Sequence, residues 1–198
     1  MAMKEKKREK ILNSAKQMFG RYGIRKTNLN EIARMARVAK ATIYNYFGSK
    51  EQVYIEVLNE EVNDLMTKIS EAIAQIKSPI EKLRVFYRTR LNQMREPSYI
   101  LNLSHDSGDH FTVGSTGVRE HLFKKDVSIL QSILEEGGRE GIFRMDNVFQ
   151  TARVLRYALK GMESAFPSER NNDEVERDFE ELFDILCRGI LVEKRGGG

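Results

Sequence analysis

Residues 27–50, TNLNEIARMARVAKATIYNYFGSK, decide the fold of this chain. Leu29, Ile32, Ala33 and Ala36 recur at i, i+3, i+4 and i+7, which places four apolar side chains on one face of a helix. Arg37, Val38 and Ala39 form an elbow, and residues 40–47 form a second helix. Ile43 and Phe47, four apart, pack inward from it. Lys40, Thr42, Tyr44, Asn45 and Tyr46 are left outward, a set of cation, hydroxyls and amide. Two short helices sharing a core, the second presenting donors to the outside, make the helix-turn-helix arrangement that fits a major groove.

Charge points the same way. Residues 1–50 hold 13 Lys and Arg against 3 Glu, a balance of +10, whereas residues 51–198 hold 20 basic against 26 acidic residues, a balance of −6. The whole chain of 198 residues carries +4, so the basic excess sits on the segment that already has the shape of a DNA reader. A solvated lysine-rich terminus is the bland alternative. Its coincidence with a groove-shaped motif favours an electrostatic footprint for phosphates. Cys187 is the only cysteine, which rules out an intrachain disulfide and suits a reducing cytoplasm. The charged start MAMKEKKREK is no secretory signal, and no apolar run reaches the ~20 residues that span a membrane, so no membrane partner is expected.

The segments T-N-L-N-E-I-A (27–33) and V-A-K-A-T-I-Y-N-Y-F-G-S-K-E-Q-V-Y (38–54) resemble the TetR family of bacterial transcriptional repressors. The resemblance covers roughly the first sixty residues. Three positions depart from the family pattern. Arg37 stands where the elbow normally has Gly and is expected to take positive φ at some cost. Ala39 replaces a Ser cap and cannot accept a hydrogen bond from the helix start. Ala41 replaces a Gly that lets the backbone approach DNA. The resemblance implies DNA contacts from Lys40, Ala41, Thr42, Tyr44, Asn45 and Tyr46. Side-chain chemistry agrees: Lys40 suits guanine acceptors and Asn45 adenine, while Tyr44 and Tyr46 suit phosphate or thymine methyls, unless one of them belongs to the core. Lys50 is placed for a phosphate, and Thr27 or Asn28 caps the helix that opens at Leu29, whose free N–H groups make an anion site.

Downstream, the period is helical throughout. Ile11, Ala15, Met18 and Tyr22 form a stripe that ends at Gly23, so a first helix braces the motif into a three-helix head. Ser49 and Gln52 have capping-box spacing for a long fourth helix running to the break at Ser78 and Pro79. Another helix follows Pro79, Pro97 restarts the chain, and residues 104–116 are irregular. Residues 118–136 are helical again, ahead of the glycine-rich 137–143, which resembles the connection preceding the last two helices of TetR-like proteins. The expected architecture is all-α: a helix-turn-helix DNA-binding domain over 1–48 and a helical effector-binding and dimerisation domain over 49–195.

Val148, Ala152, Leu155, Leu159, Met162 and Phe166 form a seam with alternating spacings of 4 and 3, and Phe179, Leu182, Leu186 and Ile190 continue a similar one. Such seams pack helices nearly parallel. They serve either the chain's own core or, with Phe183, the interface of a two-fold homodimer, which is the expectation here. Phe86, Tyr87, Tyr99, Phe111, Phe123 and Tyr157 are candidates to line a pocket for a mostly apolar effector. The family resemblance makes such a ligand plausible; any one aromatic could equally be core.

Rival motifs carry less. Residues 20–27 lack the Gly before Lys26 and the preceding strand that a phosphate-binding loop needs. His105, Asp106, Asp109, His110 and His121 could ligate a metal or a polar effector, but no zinc or di-iron spacing is present, so neither metal nor cofactor is expected. No nucleophile has an adjacent base, so no catalytic residue is assigned. A helical metal-dependent enzyme or sensor and a charge-only nucleoid binder remain as alternatives. The expectation is a cytoplasmic, homodimeric transcriptional regulator, a repressor that binds a palindromic double-stranded operator and is released by a small molecule.

Overall fold

A computed structural model describes residues 2–94, 112–165 and 172–190. Eight helices and no strand make up these described residues: α1 (Ala2–Lys26), α2 (Leu29–Ala36), α3 (Lys40–Phe47), α4 (Lys50–Ala74), α5 (Pro79–Met94), α6 (Thr112–Arg139), α7 (Val148–Ala165) and α8 (Asn172–Ile190). The all-α class and the bounds of the helix-turn-helix follow the sequence pattern. The described end of the stretch expected to be irregular, residues 112–116, does not: it is helical, since α6 starts at Thr112. Residues 95–111, with Pro97, lie outside the described part.

The described residues divide into two compact units, one of residues 2–66 with 93–94 and 112–121, the other of 67–92, 122–165 and 172–190. The division falls inside α4, after Met66, because the first half of that helix shares the core of the head. Ile11, Leu12, Ala15 and Phe19 of α1, Ile32 of α2, Ile43 of α3 and Val53 and Leu58 of α4 are fully buried there. The Tyr54 ring meets Phe19 edge-on at 5.3 Å. Each of the large aliphatic and Phe side chains among them contributes about 1.5–3 kcal/mol by leaving water. Tyr22 departs from its predicted stripe and is 44% exposed. At the next residue α1 kinks: Gly23 takes φ 75° and ψ 163°, a conformation essentially reserved for glycine.

In the second unit, Phe86 and Tyr87 of α5, Leu130 and Leu134 of α6, Leu155 and Leu159 of α7, and Phe179 and Phe183 of α8 are buried together. Tyr87 donates its hydroxyl to the Leu155 carbonyl at 2.8 Å, and burial pushes its phenol far above the usual range. Within this core Asp126 accepts from Arg156 Nε at 2.8 Å and stands 3.5 Å from Arg90 Nη2, all three side chains being almost wholly buried. Burial also lifts the Cys187 thiol to about 11.

The glycine-rich connection after α6 is a helix stop of the Schellman kind. Ile142 N–H reaches back to the Gly137 carbonyl at 2.8 Å and Gly141 N–H to Gly138 at 3.2 Å. Gly141 takes φ 70°, and the Phe143 ring folds against Gly137.

Candidate nucleic-acid interface

The head is built so that α3 stands on two anchors and shows the rest to solvent. Ile43 and Phe47 are buried, while Lys40, Ala41, Tyr44 and Asn45 are exposed and Thr42 is half-buried. The Tyr44 ring is 46% exposed, and the Lys40 ammonium lies 5.8 Å from its centre. These groups form a continuous face of donors, one amide and one aromatic, the chemistry that reads base edges and sugar-phosphate in a major groove.

The elbow holds this face rigidly. Arg37 takes φ 55° and ψ 47°, the left-handed conformation its position requires, and its N–H donates to the Arg34 carbonyl at 3.3 Å. Val38 N–H donates to Ala33 at 3.0 Å. Ala39 precedes α3 without any side-chain cap. At the start of α2, Asn28 Oδ1 accepts from the N–H groups of Asn30 and Glu31 at 2.9 and 3.1 Å, and Glu31 accepts from Asn28 N–H at 3.2 Å. Asn28 is therefore the cap, in a reciprocal box with Glu31 that stabilises a helix start by about 1 kcal/mol.

Three residues predicted to face DNA are committed elsewhere. Thr27 is only 1% exposed, and its hydroxyl lies 2.8 Å from the Gly23 carbonyl and 3.1 Å from that of Met18, so it closes the kink of α1 instead of meeting a phosphate. Lys50 donates from Nζ to the Ile24 carbonyl at 2.9 Å and to that of Thr27 at 3.1 Å, acceptors at and just past the C-terminal end of α1, where helix carbonyls lack partners within the helix. Tyr46 is half-buried and donates its hydroxyl to the Lys4 carbonyl at 3.1 Å. Only spatial proximity reveals the ties of Lys50 and Tyr46, since their partners lie 23 to 42 residues away.

Of the pocket candidates, Phe86, Tyr87, Phe123 and Tyr157 lie among the described residues. Phe86 and Tyr87 are core residues packed edge-on at 5.7 Å. Phe123 stacks at 5.2 Å on the half-exposed Tyr157. Tyr99, Phe111, His105, Asp106, Asp109 and His110 lie outside the described residues, and His121 is exposed. Arg90, Asp126 and Arg156, the buried charged cluster, carried no signal in spacing or composition.

The seams offered for the chain's own core or for a second subunit are in large part buried within the single chain. Ala152, Leu155, Leu159, Met162, Phe179 and Phe183 are buried within one chain and have no surface left for a partner. Val148, Leu182, Leu186 and Ile190 are half-buried, and Phe166 lies outside the described residues. The regular 3–4 spacing marks the face toward the chain's own core. Phe149, Val154 and Tyr157 of α7 and Ile185 of α8, off those seams, are half or more exposed.

A head of three helices, the last two short and the second of that pair exposed, on an all-helical chain, is the frame of a helix-turn-helix regulator. The model described as "Bacterial regulatory proteins, tetR family" matches residues 11–57, and one described as "QacR-like protein, C-terminal region" matches 115–191. The chain belongs to the TetR family. It is similar to an uncharacterized HTH-type transcriptional regulator of Mycobacterium tuberculosis, 32% identical over 88 residues, which span 44% of this chain and 44% of that relative. It is also similar to the HTH-type transcriptional regulator QacR of Staphylococcus aureus, 22% identical over 92% of this chain and 97% of the relative. Its fold matches the structure of the transcriptional regulator FadR from Bacillus subtilis in complex with stearoyl-CoA, with a TM-score of 0.72 and 19% identity over 92% of this chain and 98% of that one. These relatives are regulators of transcription, not enzymes. No helix among the described residues is long and apolar enough to cross a membrane.

Proposed function

We propose that this chain is a cytoplasmic, ligand-responsive repressor that binds a palindromic DNA operator as a homodimer. The observation that carries the reading is the exposed face of Lys40, Ala41, Tyr44 and Asn45 on a helix fixed from behind by Ile43 and Phe47. Each subunit inserts α3 into one major groove, in half-sites about 34–36 Å apart or at a longer spacing. Residues 1–48 serve as the reading domain and 49–195 as the effector and dimerisation domain. The exposed apolar residues Phe149, Val154, Tyr157 and Ile185, not the seams, supply the surface that a second copy covers. A small, mostly apolar effector bound in the second domain stabilises a state that holds the two heads apart from the spacing the operator needs; operator affinity falls by the effector's differential affinity for the two states. The stearoyl-CoA held by the FadR of Bacillus subtilis supports an effector with a long apolar part.

Selection of duplexes by the purified chain from a random library tests this. The enriched pool should contain an inverted repeat, bound at least 10³-fold more tightly than random duplex at one fixed salt concentration. Enrichment without a repeat, or equal affinity for random DNA, would overturn it.

A further inference from the structure

The first turns of α1 lie ahead of the apolar stripe that begins at Ile11, and they bury almost nothing. Met3, Lys4, Glu5, Lys6, Lys7, Glu9 and Lys10 are all exposed, and Arg8 alone is half-buried. Ordering a residue costs about 1–2 kcal/mol in backbone entropy, which this segment does not recover by burial. Its charges also oppose each other, because Lys4 with Lys7 and Lys6 with Lys10 are like-charged helical neighbours.

Two ties nevertheless hold the segment against the head. Arg8 pairs with Glu56 and, at 3.4 Å, with Glu60 on α4, and its guanidinium lies 5.8 Å from the centre of the Phe47 ring. Tyr46, on the reading helix itself, donates its hydroxyl to the Lys4 carbonyl, and the Lys4 ammonium sits 6.0 Å from the centre of that same ring. The basic residues of α1 between positions 4 and 16 thus fall into two sets. Arg8 and Lys16 are neutralised by Glu56, Glu60 and Glu61 of α4. Among the described residues, Lys4, Lys6, Lys7 and Lys10 have no carboxylate at ion-pair distance.

We propose that the first two turns of α1 form a phosphate clamp on the DNA backbone beside the groove that α3 enters, with Lys4 and Lys7 as its cations and the Tyr46–Lys4 bond as its latch. Lys4, Lys7, Arg8 and Ile11 fall at i, i+3, i+4 and i+7 of one helical stripe, on which Lys4 meets Tyr46 of α3 and Arg8 meets Glu56 and Glu60 of α4, while Lys7 is exposed. A bond from the reading helix to the clamp fixes the position of these cations relative to the base-reading side chains. An aligned row of uncompensated lysines suits duplex DNA, which carries one negative charge per ~1.7 Å of its axis. The proposal rests on the DNA-binding function above and adds a second contact zone to it.

The test is the salt dependence of affinity of the full chain for two probes, a duplex selected as above and a random duplex of the same length. The double variant Lys4→Gln with Lys7→Gln keeps helix propensity and removes both charges. Each lost phosphate contact lowers the slope of log affinity against log salt by about 0.9, so each bound protomer should lose about 1.8. Between 50 and 200 mM salt, such a protomer is spared a roughly 12-fold fall in affinity that the unmodified chain suffers. Preference for the selected duplex over the random one should stay the same. Tyr46→Phe, which removes only the latch hydroxyl, should lower the slope by part of that amount, and circular dichroism should show all variants folded. An unchanged slope in the folded double variant, with the unmodified chain still binding its selected duplex, overturns the clamp alone. Failure of the unmodified chain to prefer any duplex overturns the functional reading and the clamp with it.

Discussion

Phe143 occupies the space that a β-carbon on Gly137 would need: its Cδ2 lies 2.2 Å and its Cε2 2.5 Å from that position. The ring is buried and cannot swing away. Gly137→Ala should therefore destabilise the second unit by about 1–3 kcal/mol, the usual cost of overpacking, even though Ala is the better helix former. Urea unfolding measures this. In a Phe143→Ala background the same change should become neutral or stabilising; an equal penalty in both backgrounds would show that the ring is not the obstacle.

Arg37 pays the conformational cost that glycine avoids at this elbow. A left-handed conformation costs a non-glycine residue about 1–2 kcal/mol, and glycine returns roughly 0.5–1 kcal/mol of that through its more flexible unfolded chain. Arg37→Gly should raise stability by about 0.5–1 kcal/mol, read as a higher thermal midpoint. A lower midpoint would mean that the arginine side chain contributes more than its backbone loses.

Lys50→Met separates two roles for one ammonium. Its bonds to the Ile24 and Thr27 carbonyls are charge-assisted and partly buried, so their loss should cost about 1.5–3 kcal/mol of stability. A variant that keeps full stability but binds all duplexes more weakly would restore Lys50 as a phosphate contact.

Tyr44→Ala and Asn45→Ala, each made alone, should lower the preference for the selected duplex over random DNA by about 1–3 kcal/mol per change. Affinity for random DNA should hardly move. Uniform losses on every sequence would assign both side chains to the backbone instead.

Val154→Glu combined with Ile185→Glu should give a monomer in sedimentation, because a buried carboxylate without a partner is costly in an interface. Leu155→Glu should unfold the chain before it affects assembly, since Leu155 is core. Dimers persisting in the double variant would place the interface elsewhere.

The head was largely legible because its signals are local. Periodicity in Leu29, Ile32, Ala33 and Ala36 and a cap at Thr27 or Asn28 act within one or two turns, and the bounds of α2 follow from them, whereas α1 runs on through the kink at Gly23 to Lys26. The positive φ of Arg37 was legible for the same reason. What escaped depends on tertiary neighbours. Nothing in the spacing of Thr27, Tyr46 or Lys50 discloses that the Gly23 kink and the Lys4 carbonyl consume their donors. A regular stripe, such as those of α7 and α8, says that a face is buried, not by which chain. The exposed residues Phe149, Val154 and Ile185 lie off that stripe, where periodicity assigns water.

The three anchors between α1 and the opening of α4 have a mechanical consequence. Arg8 grips Glu56 and Glu60, Lys16 grips Glu61 at 3.6 Å, and Lys50 holds the broken end of α1 by its carbonyls. Spread over three turns of α4, they tie the opening of that helix to α1 at several points within the head, so a substitution at any one of them leaves the others in place.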